Sequence, residues 1–240
     1  MTKLLIVLCL NLFLSNPIYA QSKLQKDIKF SVDTNALMKG EVHYAVDIIA
    51  PEKLNDKYPS LYDLDSLSIL QEPNIEIMIG KSAFIVDKPA GFFDHELAIN
   101  ENYLKHTLGE QQIKKFGDNT YWITVPGKIT HSYQLKIYSD SDEISTLPNS
   151  KAIRAVSWAR KQDVISQSSS ATVFKEFTQF TKYSFGGIQV SNHIPIKENK
   201  TLILSYSLFA VQKLYALEKV LKSNFKNEAM SQKELISNFK

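Results

Sequence analysis

Cysteine is almost missing from this chain. Its one copy, Cys9, lies in an apolar run near the start. From Gln21 onward there is no thiol, which excludes disulfides, thiolate zinc sites, cysteine nucleophiles and thiol redox chemistry there. A chain without such staples depends on its core, and the 220 residues from Gln21 to Lys240 suffice for a sizeable one.

An excess of one charge is also lacking. Against 25 acidic residues stand 28 basic ones, dispersed and often beside acids. Nucleic-acid recognition needs a basic field clustered on one face, so this class is set aside. Only eight glycines occur, and none builds a phosphate-cradling loop; Gly186-Gly187 precedes a strand pattern, not a helix. There is no G-x-S-x-G, and none of His43, His95, His106, His131 and His193 falls in an H-x-x-x-H or H-E-x-x-H spacing. Asp94-His95-Glu96 is the nearest approach to a metal cluster, with His106 as a further ligand. Neighbours on a chain point apart, so a solvated loop and helix cap is the better reading of it. Ser168, Ser169 and Ser170 lack the strained turn a nucleophile needs and read as linker. Asp47 and Glu76 sit between apolar strand residues and read as solvated. No catalytic residue, metal ligand or cofactor is assigned.

Long apolar runs are absent too. Leu4 to Leu14, interrupted by Asn11, gives about 11 residues, roughly 16 Å of helix at 1.5 Å per residue. A bilayer core needs about 20 residues, whereas a signal-peptide h-region needs about 7–15. Lys3 supplies the positive flank, Asn16-Pro17 breaks the helix and Ala20 is the small residue before a cut. Leu8 in front of Cys9 is too large for a lipoprotein cleavage site, so Cys9 reads as one more apolar residue. The expectation is a signal peptide over 1–20 and a single α+β domain over 21–240, exported to the periplasm or secreted. The cut leaves a net charge of +2 and no transmembrane segment.

What is present is mainly alternation. EVHYAVDII (41–49) alternates apolar and polar residues as a half-buried strand. SLYDLDSLSIL (60–70) places leucines every third residue, a short helix. Ile75, Ile77 and Ile79 alternate up to Gly80, where a bulge or turn is expected before Ala83 to Val86 resume the strand. A loop follows over 90–100 and a helix over 101–116, weakened by Gly109. Two strands flank Pro126-Gly127 within 119–138, a type II turn pattern. KAIRAVSWA (151–159) and ATVFKEFTQF (171–180) are further strands.

The best-defined unit is a hairpin over 187–209. Ile188, Val190, Ile194 and Ile196 alternate with Gln189, Ser191 and His193; Leu202, Leu204, Tyr206 and Leu208 alternate with Ile203, Ser205 and Ser207. The period then changes to about 3.6 through Val211, Leu214, Leu217, Leu221 and Phe225, giving a helix of about 15 residues and a second from Ser231. The fold class is α+β: a mostly antiparallel sheet, a few short helices and a C-terminal amphipathic helix packed on the sheet.

Aromatics are plentiful, with 13 Phe, 11 Tyr and two Trp, most in or beside strands. Packed core accounts for many. The functional reading is a sheet lining a pocket for an apolar small molecule or lipid, with Trp122, Tyr133, Arg154, Trp158 and Tyr206 as ligand-binding residues and Arg154 orienting an anionic head group.

Two segments carry a resemblance. Phe116-Gly117-Asp118-Asn119-Thr120-Tyr121 is similar to a Phe-Gly-x-Asn-x-Tyr motif, and Ser223-Asn224-Phe225-Lys226-Asn227-Glu228 is similar to a Ser-Phe-x-Asn-Arg tail, with one residue inserted and Glu in place of Arg. Together they resemble an uncharacterised family of exported spirochaete proteins. That resemblance implies an exported, mostly β protein and supplies no catalytic residue. The resulting expectation is an exported, non-enzymatic binding or structural component of the envelope. The alternatives are an envelope hydrolase and a secreted factor meeting an envelope or host protein through an exposed apolar patch.

Overall fold

A computed structural model describes residues 32–53, 74–109, 111–126, 130–139, 171–181, 184–213 and 217–240. The expected helix over 60–70 and strand over 151–159 lie outside them. Among the described residues eight strands form one sheet, in the order β1-β2-β8-β7-β6-β5-β4-β3, every neighbouring pair antiparallel. The strands are β1 (His43–Ile49), β2 (Ile75–Val86), β3 (Gln112–Gly117), β4 (Thr120–Val125), β5 (His131–Tyr138), β6 (Ala171–Thr178), β7 (Ser184–Lys197) and β8 (Lys200–Gln212). The helices are α1 (Thr34–Met38), α2 (His95–Ala98), α3 (Glu101–Leu108) and α4 (Leu217–Asn238). This is the expected α+β class, with the C-terminal helix on the sheet.

The long hairpin β7–β8 is the centre of the sheet. Every β8 residue from Thr201 to Val211 is buried, so both faces of this strand are covered. On one face Leu37 of α1 packs with Ala83, Ile85, Ile194, Leu202, Leu204 and Tyr206. On the other, Leu221 and Phe225 of α4 join the main core, and Ile236 at its far end packs with Phe84, Val86 and Ile203. The Tyr44 and Phe225 rings, 6.4 Å apart, tie α4 to the edge strand β1.

Several local expectations are corrected. Gly80 makes no bulge: β2 runs unbroken, with Gly80 paired to Ser207 in regular register. The expected loop over 90–100 holds a 3-10 turn at Ala90–Phe92 and the short helix α2, whose first turn is capped by Asp94 Oδ1 accepting from Leu97 N at 2.7 Å. The helix expected to reach residue 116 stops at Leu108. Gly109 adopts φ +65° and ψ −123°, open essentially only to glycine, and the chain re-enters the sheet as β3. The Phe-Gly-x-Asn-x-Tyr segment is the β3–β4 hairpin itself, turning at Asp118-Asn119 with Asn119 at φ +52°. Val211 belongs to β8, and α4 is one helix of 22 residues where two were expected.

Gly187 is fixed by close approach. A Cβ there would lie 2.2 Å from Phe209 Cδ1, because the Phe209 ring covers the glycine of the paired strand. That ring also meets Phe177 at 5.2 Å and Phe180 at 6.1 Å. Gly187→Ala is therefore expected to lower the urea midpoint, costing about 1–3 kcal/mol by overpacking. In a Phe209→Ala background the same substitution is expected to cost less. An unchanged midpoint in the parent chain contradicts the packing described.

Candidate binding cavity

Strand register places four rows of side chains on the face beneath α4. The first, Phe177, Gly187, Phe209 and Met78, is apolar. Next come Lys175, Gln189, Ser207 and Gly80, then Val173, Ser191, Ser205 and Ser82. The fourth contains His193, Ile203 and Phe84. Alternation marks Gln189, Ser191, Ser205 and Ser207 as a polar face. Here that face is covered by helices and becomes a cavity floor.

The cavity lies between these rows and the helical layer. It holds about 940 Å³ of empty space, counting the part open to solvent at its mouth; the centre of a water-sized sphere can occupy about 80 Å³ of it. One buried water needs about 10–15 Å³ by the second measure, so there is room for several waters or for a small organic molecule. The roof is mostly apolar: Leu97 and Ala98 from α2, Tyr103 and Leu108 from α3, Phe225, Ala229 and Ile236 from α4. On α4 the lining positions are 225, 228, 229, 232 and 236, which recur at three- and four-residue intervals as the stripe of a single helix face.

Polar side chains hold the roof together. Gln232 donates through Nε2 to Thr107 O at 3.0 Å, joining α4 to α3, and to Glu228 Oε1 at 3.0 Å. The Phe93 ring stacks on His193 at 4.5 Å, with 13° between planes, closing one end. His106 Nε2 lies 2.6 Å from Leu235 O. Burial pushes the Tyr103 hydroxyl well above the usual phenol range, so it stays neutral beside the cavity at any ordinary pH.

On the floor, Ser191 Oγ and Ser205 Oγ hydrogen-bond to each other at 2.9 Å. Ser207 Oγ is different. The residue is 1% exposed, it faces the cavity, and its hydroxyl has no hydrogen-bond partner among the described residues. Leaving a buried hydroxyl unpaired costs about 1–3 kcal/mol.

The five residues singled out from the sequence stand elsewhere. Arg154 and Trp158 lie outside the described residues. Trp122 is half-buried, paired with Lys114 and Gln134 on the opposite face of the sheet. Tyr206 is also on that face, packed with Leu204 and Ala83 and with the Lys81 ammonium 5.6 Å from its ring centroid. Tyr133 shares the cavity's face but stands behind the Phe177 row, its Oη donating to Gln111 Oε1 at 3.1 Å and burial raising its pKa. None of these three lines the cavity. The lining residues the sequence reading missed are the serines of the hairpin and the second half of α4. Carrying the 3.6 period of Leu221 and Phe225 past Ser231 to Gln232 and Ile236 would have found the latter. Among the described residues no three His, Cys, Asp or Glu side chains are grouped to hold a metal ion, and no helix is long and apolar enough to cross a membrane.

No protein-family model matches the chain, and no curated protein matches it in sequence. Solved structures do superpose on it. The lipid transfer and protein localization domain of human StarD13 gives a TM-score of 0.44 at 10% identity, covering 95% of this chain and 100% of that one. A START superfamily protein from Mycobacterium smegmatis gives 0.43 at 12% identity, covering 66% of this chain and 94% of that one. Norcoclaurine synthase from Thalictrum flavum, in complex with dopamine and hydroxybenzaldehyde, gives 0.38 at 14% identity, covering 70% of this chain and 91% of that one. All three scores lie below 0.5, so the chemistry of the cavity is taken from this chain's own residues.

Proposed function

We propose that this protein is a non-enzymatic carrier or sensor that holds an apolar small molecule or lipid between its sheet and its helices, and that it works outside the cytoplasm. One observation carries the binding reading: a cavity with room for several waters or a small organic molecule, with apolar side chains from three helices above it and a few polar groups below. A fold that only needed a core would close this space, since each unfilled volume forfeits dispersion contacts. Lys3, the apolar run to Leu14, Asn16-Pro17 and Ala20 support export. Protein recovered from outside the cytoplasm of an exporting host is expected to have the intact mass of residues 21–240; a mass retaining Met1 refutes cleavage after Ala20, and absence of the protein from that fraction refutes export.

An uncharged apolar dye, N-phenyl-1-naphthylamine, tests the cavity. The folded protein is expected to bind it saturably, near one dye per chain. Ala229, on the cavity face of α4, gives the control. Ala229→Trp fills the space with an indole and is expected to weaken the dye by at least about tenfold, or 1.4 kcal/mol, while the thermal midpoint holds. Absence of saturable binding to the folded parent, or equal binding by Ala229→Trp, contradicts the proposal.

A further inference from the structure

We infer that the cavity selects an amphiphile with an uncharged hydroxyl or amide head group, which sits on the polar floor at Ser207 and Gln189 while its apolar body lies beneath α4. The inference rests on the ligand-binding reading above and adds the orientation and chemical class of the ligand.

Three observations converge on it. First, the cavity has two unlike walls. Its floor presents Gln189, Ser191, Ser205, Ser207 and Ser82 in adjacent rows, and its roof presents Phe225, Ala229, Ile236 and Leu97. A purely apolar guest would strand the Ser207 hydroxyl, and a purely polar one would strand the apolar side chains of the roof.

Second, the hydrogen-bonding capacity on the floor is spent unevenly. Ser191 and Ser205 satisfy one another. Ser207 Oγ is buried, faces the space and has no partner among the described residues. A serine hydroxyl both donates and accepts, and so does the amide of Gln189, its partner across the strand pair. The complement of two groups that each donate and accept is another group of that kind: a hydroxyl or an amide.

Third, charge does not favour an ion. The charged side chains on the lining are Lys175, Asp94 and Glu228, one positive and two negative. Lys175 stands in the row of Gln189 and Ser207 but already has a partner within the chain. Asp94 Oδ1 caps α2 and Glu228 accepts from Gln232. Each charged group is thus engaged, and none calls for an ionic head group. Burying a charged amine requires desolvating it, a larger cost than a hydroxyl incurs.

The test uses the full chain, with N-phenyl-1-naphthylamine displaced by five molecules of one chain length: 1-octanol, octanamide, octanoate, octylamine and 1-chlorooctane. At neutral pH the alcohol and the amide are expected to displace the dye better than the two ions. Ser207→Ala is expected to weaken octanol and octanamide by about three- to tenfold, the range of one hydrogen bond, and to leave 1-chlorooctane unchanged. Equal weakening of all five, no change for octanol, or octanoate or octylamine binding tightest each overturns the inference. If Ser207→Ala does not fold, the ranking of the five on the parent chain decides alone. Dye binding without discrimination among head groups overturns this inference only; no dye binding at all overturns the ligand-binding reading and this inference with it.

Discussion

The β7–β8 pairing sets the position of every residue on the cavity floor. The pairing is continuous from Gly186 opposite Ala210 to Pro195 opposite Thr201, with a register shift just beyond each end. A slip of one residue would turn Leu204, Tyr206 and Leu208 toward α4 and the serines toward α1. Neither layer accepts that exchange: Leu37 of α1 needs the apolar set, and β2 on the far side of β8 follows the division at Ala83 opposite Leu204 and Ser82 opposite Ser205. Register, floor and roof thus fix one another.

An unusual consequence is a sheet with two covered faces of different character. One face of β8 is a conventional apolar core. The other changes along the strand, from the packed aromatic row of Phe177, Gly187 and Phe209 to the polar rows under the cavity. At the aromatic end the Phe209 ring covers Gly187 and leaves no void. Two residues further along, the side chains become Gln189 and Ser207, and the cavity lies over them. The cavity begins where the large side chains of the floor stop.

Much of this architecture was legible in the sequence. Period-2 alternation marked β1, β4, β5, β6 and the β7–β8 hairpin, and the period of 3.6 marked α4, because each element is tied to a contiguous apolar face. Three things were not legible, each for a physical reason. Helix α3 ends at Leu108 and strand β3 starts at Gln112, with Gly109 at positive φ between them. The C-terminal helix looked like two because Ser231 and Gln232 interrupt the apolar stripe, yet Gln232 is on that face, bonded to Thr107. Most important, alternation reports that Ser191, Ser205 and Ser207 oppose the apolar set but not whether water or a helix covers them. The large aromatics are the more conspicuous pocket-lining candidates in the sequence, yet Tyr206 and Trp122 point the other way.

The most direct measurement is to ask what the cavity holds. Protein purified from an exporting host would be analysed by native mass spectrometry and then extracted with organic solvent for small-molecule mass analysis. The expected result is a near-stoichiometric adduct that is lost on denaturation, with an extract containing an apolar compound bearing a neutral polar head group. A folded protein at its bare polypeptide mass, with an empty extract and no uptake when incubated with a total lipid extract, would contradict it.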